Sequence, residues 1–362
     1  MREFFLLIAL SVLMQFSQAQ DQSVPRVVLI TLDGMRWQEV FTGADSLLIG
    51  NSEFVTDTAG LKARFWRATP GERRQVLFPF LWNEISKMGQ VYGNRYLGSK
   101  VDLTNQMWFS YPGYNEILTG CADDVRIHSN DKVNNPNITF LEVAGKSDRF
   151  RGRVAAFGSW DVFPYIVNEE RSGVPVNAGF EPASGDLLTD REKFLNELLP
   201  QVPSPWNSVR LDAFTQHYAL EYMKREHPKI IYIAYGETDD FAHDGDYQAY
   251  LNSANNTDGF IHNLYDFAQQ DPFYKGRTVF LITTDHGRGT SPPGSWKSHG
   301  EKIMGSGQVW VALFGSGIPA VGERQGEEQL FSAQIAPLVY KLLRLDNPIA
   351  KPYPPLPVAT GH

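Results

Sequence analysis

The chain has 362 residues, of which 42% are hydrophobic and 13% aromatic, enough apolar surface for a substantial core and too much for a disordered chain. A formal net charge of −8, with no block of like charges, excludes a general nucleic-acid-binding surface, so an anionic substrate has to be attracted locally. The only cysteine is Cys121, which excludes an intrachain disulfide.

Met1 and Arg2 precede the apolar stretch FFLLIALSVLM, and QFSQAQ comes after it, the layout of a secretory signal cleaved near Ala19. The expected organisation is a signal peptide over 1–19 and one domain over 20–362, secreted or periplasmic. The apolar stretch is shorter than the roughly 20 residues a bilayer span needs, so no stable membrane insertion is expected. Apolar runs bounded by turn residues then read as strands at RVVLITLDG (26–34), RVAAFGSWD (153–161), KIIYIAYGETD (229–239), RTVFLITTDHG (277–287) and QVWVALFGSG (308–317). Amphipathic patterns read as helices near 78–88, 189–199, 209–226, 246–269 and 328–344. The alternation predicts an α/β fold, a mostly parallel central sheet with helices on both faces and function at the carboxyl ends of the strands. Stretches rich in Asn, Pro and Gly at 122–137, 171–185 and 288–300 are expected to be loop insertions over that edge.

Three of the five strands run out into acidic residues: Asp33 after VLITL, Asp239 after IIYIAYGET, and Asp285 with His286 after VFLITT. His243 is four residues past Asp239, one turn if a helix begins there, and His299 lies in the loop GSWKSHGE. Three carboxylates and three imidazoles on one rim repel and desolvate one another unless positive charge sits between them. Divalent metal ions meet that need, and a mixture of imidazole and carboxylate donors suits zinc better than magnesium or calcium. A lone Asp at a strand end is usually a cap or turn residue; the conjunction of six side chains is what points to metal. His128, His217, His227, His262 and His362 read as structural or terminal.

A second stretch, WFSYPGYNEILTG (108–120), sets Ser110 just ahead of Pro112 and a helix closed by Gly120. A hydroxyl there lies where free amides and the helix dipole favour phosphate or sulfate. Alone it is a capping residue; beside two metal ions it becomes a nucleophile.

In order, LDG, Ser-x-Pro closing with LTG, Asp-x-x-x-His, DHG and a later His-Gly resemble the alkaline phosphatase superfamily, nearest its branch of type I phosphodiesterases and nucleotide pyrophosphatases, from about residue 26 to 343. The resemblance implies that Asp239, His243 and His299 hold one zinc ion and that Asp33, Asp285 and His286 hold a second, with Ser110 as its hydroxyl ligand. Ser110 is then the nucleophile of an in-line displacement that passes through a phosphoseryl intermediate. An amide or cation on the non-bridging oxygens is also implied, matched here to Asn130 and Lys132, with Arg126 behind them. The activity so implied is that of an exported two-metal hydrolase acting on a small-molecule phosphate ester, without a nucleic-acid partner.

The chain departs from that branch in reading Pro112-Gly113-Tyr114 where many of its diesterases read Pro-Asn-His. A sulfatase requires Arg where this chain has Tyr114 and usually Asp-Asp where it has Asp33-Gly34. A phosphomonoesterase requires Arg or Lys over the extra phosphoryl charge, and no motif fixes Arg36, Arg126, Lys132, Arg288 or Lys297 in that role. A diesterase requires walls for a second group, for which Trp160, Phe163 and Tyr235 are the aromatic candidates. The balance tips slightly to diesters, with a phosphomonoesterase as the alternative and a sulfatase or a non-catalytic metal- or anion-binding protein behind it.

Overall fold

In the computed structural model, which describes residues 24–358, the strands in chain order are β1 (Arg26–Leu32), β2 (Gly89–Tyr92), β3 (Ser99–Asp102), β4 (Val154–Gly158), β5 (Val176–Ala178), β6 (Ile230–Tyr235), β7 (Thr278–Thr283), β8 (Gln308–Val309), β9 (Val311–Gly315), β10 (Gly322–Glu323) and β11 (Glu328–Phe331). Eight of them form one sheet in the order β10-β2-β9-β7-β1-β6-β4-β5, and β11-β3-β8 form a small second sheet. In the large sheet only β9 runs against its neighbours. The expected signal peptide lies outside the described residues. Among those residues no helix is long and apolar enough to cross a membrane.

The five apolar runs became strands because each is a β-branched, apolar segment that a sheet covered on both faces can bury completely. β1 is buried along its whole length. Its alternate residues serve two separate cores, with Val28, Ile30 and Leu32 in one and Val27 and Leu29 in the other. The helices that matter for function are α1 (Ser110–Thr119), α2 (Asp212–Glu226), α3 (Glu237–Asp244), α4 (Tyr247–Gln270) and α5 (Ile335–Leu343). α2 and α4 contribute to the first core, α1 and α5 to the second.

β1 pairs in parallel with β6, Leu32 opposite Tyr235, and with β7, Thr31 opposite Thr283. The three strands therefore end in step, and the residues just past their carboxyl ends emerge on one rim. Two expectations are corrected, and several short strands were not anticipated. The segment 308–317 is antiparallel, split into β8 and β9. The helical pattern at 328–344 begins as β11 and becomes helix only at Ile335. The short strands β2, β3, β5 and β10 carried too few residues for a periodic signal.

Candidate metal centre and active site

Asp33 leaves β1 into Gly34, whose φ of +58° is left-handed; a Cβ there would come within 2.6 Å of Asp239 Oδ1 and 3.1 Å of His286 Cε1. Only glycine lets the chain turn this close to the clustered side chains. Asp285 and His286 come after β7 and are fully buried. Asp239 and His243 lie on α3 one turn apart, and His299 comes in from the loop after a short 3-10 turn at Pro293–Lys297.

Donor atoms of Asp239, His243 and His299 lie within 4.8 Å of one another, as do those of Asp33, Asp285 and His286. His286 Nε2 is 3.2 Å from Asp33 Oδ1, 3.5 Å from Asp285 Oδ2 and 3.6 Å from Asp239 Oδ1, so the two groups adjoin. His243 Nε2 faces His299 Nε2 at 2.9 Å and Asp239 Oδ2 at 3.2 Å. Ser110 Oγ, on the first residue of α1, is 3.4 Å from His286 Nε2.

The donor set fits divalent metal ions. Asp33 Oδ1 and Asp285 Oδ2 are buried without a hydrogen-bond partner, a costly state unless a cation receives their lone pairs. The other atoms of these ligands are held in place. Asp33 Oδ2 accepts from Tyr114 Oη at 2.8 Å, Asp285 Oδ1 accepts from the Gly34 amide at 3.0 Å, and His286 Nδ1 is 2.8 Å from the Gly287 carbonyl, to which it donates. That bond leaves Nε2 as the lone-pair nitrogen and aims it at the cluster, the usual support behind a metal-binding histidine.

Electrostatics agree. Burial, then repulsion from Asp239 for Asp33 and from Asp33 for Asp285, pushes both carboxyls above their usual range. Burial opposes the imidazolium of His286, but Asp285, Asp33 and Asp239 outweigh it and lift His286 to about 9. Burial would raise Asp239 too, yet Arg288, His299 and His243 hold it well below the carboxylate range. Without metal the site thus retains protons that metal ions would displace.

α1 is locked to this rim at several points. Gly113 touches the Asp285 carbonyl so closely that a Cβ would stand 2.2 Å from the oxygen, and the next residue supplies the Tyr114 hydroxyl. The buried Glu116 carboxylate accepts from the amides of Thr104 at 2.8 Å, Asn105 at 2.8 Å and Ala333 at 3.1 Å. Asn105 Oδ1 in turn accepts from the Trp108 amide at 3.0 Å, which holds Trp108 at a left-handed φ of 51° just before Ser110. The departure Pro112-Gly113-Tyr114 is therefore explained by packing against the two aspartates.

A cleft of about 210 Å³ opens over Ser110, lined also by Asn130, Trp160, Ser208, Gly236 and Asp240 among others. Asn130 Oδ1 accepts from the Tyr111 amide at 3.0 Å, which leaves its NH2 group for a substrate oxygen. The remaining sequence candidates are corrected. Lys132 is exposed, does not line the cleft, and pairs with Asp161 at 2.7 Å. Phe163 and Tyr235 are core residues: Phe163 packs against Tyr114 and Tyr232, and the Tyr235 hydroxyl donates to Gln216. Arg36 is paired with Glu39, and Arg288 is buried behind Asp239, bonded to its carboxylate and to its carbonyl oxygen. Asp240, missed in the sequence although it doubles Asp239, is lifted to about 9 by burial and then by Asp239, Asp33, Asp212 and Asp244.

Residues 207–304 match the Metalloenzyme superfamily. That stretch contains Asp239, His243, Asp285, His286 and His299. The fold is similar to that of the alkaline phosphatase PafA, with a TM-score of 0.58 at 10% identity over 91% of this chain and 98% of that one. It is also similar to the lipoteichoic acid synthase LtaP from Listeria monocytogenes, with a TM-score of 0.55 at 11% identity over 91% and 78% of the two chains. A 2-O GAG sulfatase aligns with a TM-score of 0.54 at 12% identity over 90% and 72%. No curated protein matches in sequence. The superfamily match is confined to residues 207–304 and the structural likeness is one of fold; neither singles out the nucleotide pyrophosphatase branch.

Proposed function

We propose that the chain is an exported two-zinc phosphoric ester hydrolase with Ser110 as its nucleophile. The observation that carries this reading is the head of α1, where the Ser110 hydroxyl lies 3.4 Å from His286 Nε2, beside two adjoining groups of candidate ligands. Asp239, His243 and His299 would hold one ion, and Asp33, Asp285 and His286 the other. When bound, such ions favour the ionised hydroxyl and offset negative charge on reacting oxygens.

The protein's own groups supply the rest. Ser110 Oγ attacks phosphorus in line, losing its proton to solvent as the Oγ–P bond forms, while the bond to the departing alcohol breaks and that alcohol takes up a proton; water then frees Ser110, releasing phosphate from a monoester or a phosphate monoester from a diester. The NH2 group of Asn130 would face the non-bridging oxygens, with the positive end of the α1 dipole behind them. Gly113, Tyr114 and Glu116 hold α1 in register with Asp33 and Asp285. Sulfate esters remain the second reading, since a sulfatase shares the fold, but Tyr114 is committed to Asp33 and offers no positive charge.

The test is a panel of nitrophenyl phosphate, bis-nitrophenyl phosphate and nitrophenyl sulfate, each with and without a chelator. Ser110→Ala is expected to keep its metal content while turnover of phosphate esters collapses at least about 10³-fold. Unimpaired turnover in that variant removes Ser110 from the chemistry, and exclusive turnover of the sulfate replaces the phosphate reading.

A further inference from the structure

We infer that Arg288 is a positioning residue that straps the loop bearing His299 to the head of α3, so that the group of Asp239, His243 and His299 depends on it while the group of Asp33, Asp285 and His286 does not. This dependence, which rests on the two-metal reading above, follows from where the bonds of Arg288 end.

The Arg288 side chain is buried, and a guanidinium is costly to bury unless its donors are satisfied. Nη1 donates to the Lys297 carbonyl at 2.9 Å. Nη2 donates to the Asp239 carbonyl at 2.9 Å and to Asp239 Oδ1. Each of these bonds ends on a segment that carries a candidate ligand, since Asp239 is one itself and Lys297 stands two residues ahead of His299.

The two groups need different support. Asp239 and His243 share one turn of α3, a spacing the helix enforces by itself. His299 arrives from another segment. The middle of its loop is anchored by Trp296, whose ring packs on Phe54 and on Tyr247 and Tyr250 of α4, and the Gly289 amide closes the loop on the Ser298 carbonyl at 2.9 Å. Neither fastening ties the loop to Asp239, whereas the Arg288 fork grips both. The second group has fastenings of its own. Asp285 and His286 are consecutive, Asp285 Oδ1 is held by the Gly34 amide, Asp33 Oδ2 by Tyr114, and His286 Nδ1 by the Gly287 carbonyl.

Charge and geometry pull in opposite directions here, which makes the role testable. As a bare charge, Arg288 competes with a bound cation for the Asp239 carboxylate, so its removal would tighten binding there. As a strap, it fixes Asp239 relative to His299, so its removal weakens binding. The strap accounts for the bond to the Lys297 carbonyl, which has no charge to balance. A planar fork fixes two acceptors at once, as an ammonium does not.

The test titrates the metal-free protein with Co2+ against a chromophoric chelator, and His243→Ala identifies the binding phase that belongs to the first group. Arg288→Lys keeps the charge and loses the fork; Arg288→Met loses both. In each variant the affinity of the first phase is expected to fall about 10- to 100-fold while the second phase stays within about threefold of the native value. The second phase is an internal control, because a general loss of structure weakens both. An unchanged first phase in Arg288→Lys, a tightened first phase in Arg288→Met, or two phases weakened alike overturns the inference and leaves the two-metal reading standing. A native chain that takes up fewer than two cobalt ions overturns both.

Discussion

Gly113→Ala sets two physical effects against each other. Gly113 is the fourth residue of a ten-residue helix, and by helix propensity alone alanine there stabilises by about 1 kcal/mol. The structure reverses the sign, because the new methyl would stand 2.2 Å from the Asp285 carbonyl oxygen and 2.9 Å from its carbon. A backbone carbonyl at the end of a central strand cannot swing away as a side-chain tip can. α1 and the 285–287 turn have to part by about 1 Å, at the upper end of the roughly 1–3 kcal/mol that overpacking costs. The net expectation is a loss of about 2 kcal/mol, or about 3 °C in Tm for a domain of this size. The same movement carries Ser110 away from His286, and a displacement near 1 Å costs about 10²-fold in turnover. Thermal unfolding and nitrophenyl ester kinetics on metal-loaded protein measure both. A variant with higher Tm and undiminished kcat refutes the packing of α1 on Asp285, and with it the account of why this chain has glycine after Pro112.

Tyr114→Phe removes the hydroxyl that donates to Asp33 Oδ2 at 2.8 Å while keeping the ring that packs on Phe163. Zinc affinity, titrated against a competing chelator, is expected to fall about 10- to 100-fold with little change in fold; equal affinity would mean that Asp33 is oriented by something else. The pH dependence of stability should change direction with metal. In the metal-free protein His286 is raised to about 9 from an ordinary value near 6.5. Its contribution is therefore complete below about pH 6.5 and is lost as pH climbs through 9, on the order of 3 kcal/mol. The upward shifts of Asp33 and Asp285 act in the same direction. In the metal-loaded protein the ligands have to be deprotonated, so stability falls as pH drops. Melting curves from pH 6 to 9.5, with chelator and with zinc, check this, and parallel curves in the two conditions contradict it.

The sequence by itself determined the parts of this protein that are local. β1, β4, β6 and β7 were legible because each is a continuous apolar run that only a sheet covered on both faces can bury. The residues meeting on the rim were legible because Asp33, Asp239 and Asp285 come within four residues after such runs, and the i+4 spacing of His243 is a property of any helix. Tertiary structure decided what depends on approach between distant segments. It paired β9 antiparallel to β7, buried Phe163 and Tyr235 in the core, and turned Lys132 away to Asp161. It also made Gly113, Tyr114 and Glu116 the fastening of α1 and left Asp240 facing the cleft. The physical reason is that periodicity fixes which side of an element is buried, whereas the partner a buried or polar group meets is set by how strands far apart in the chain come into register, and no local pattern carries that information.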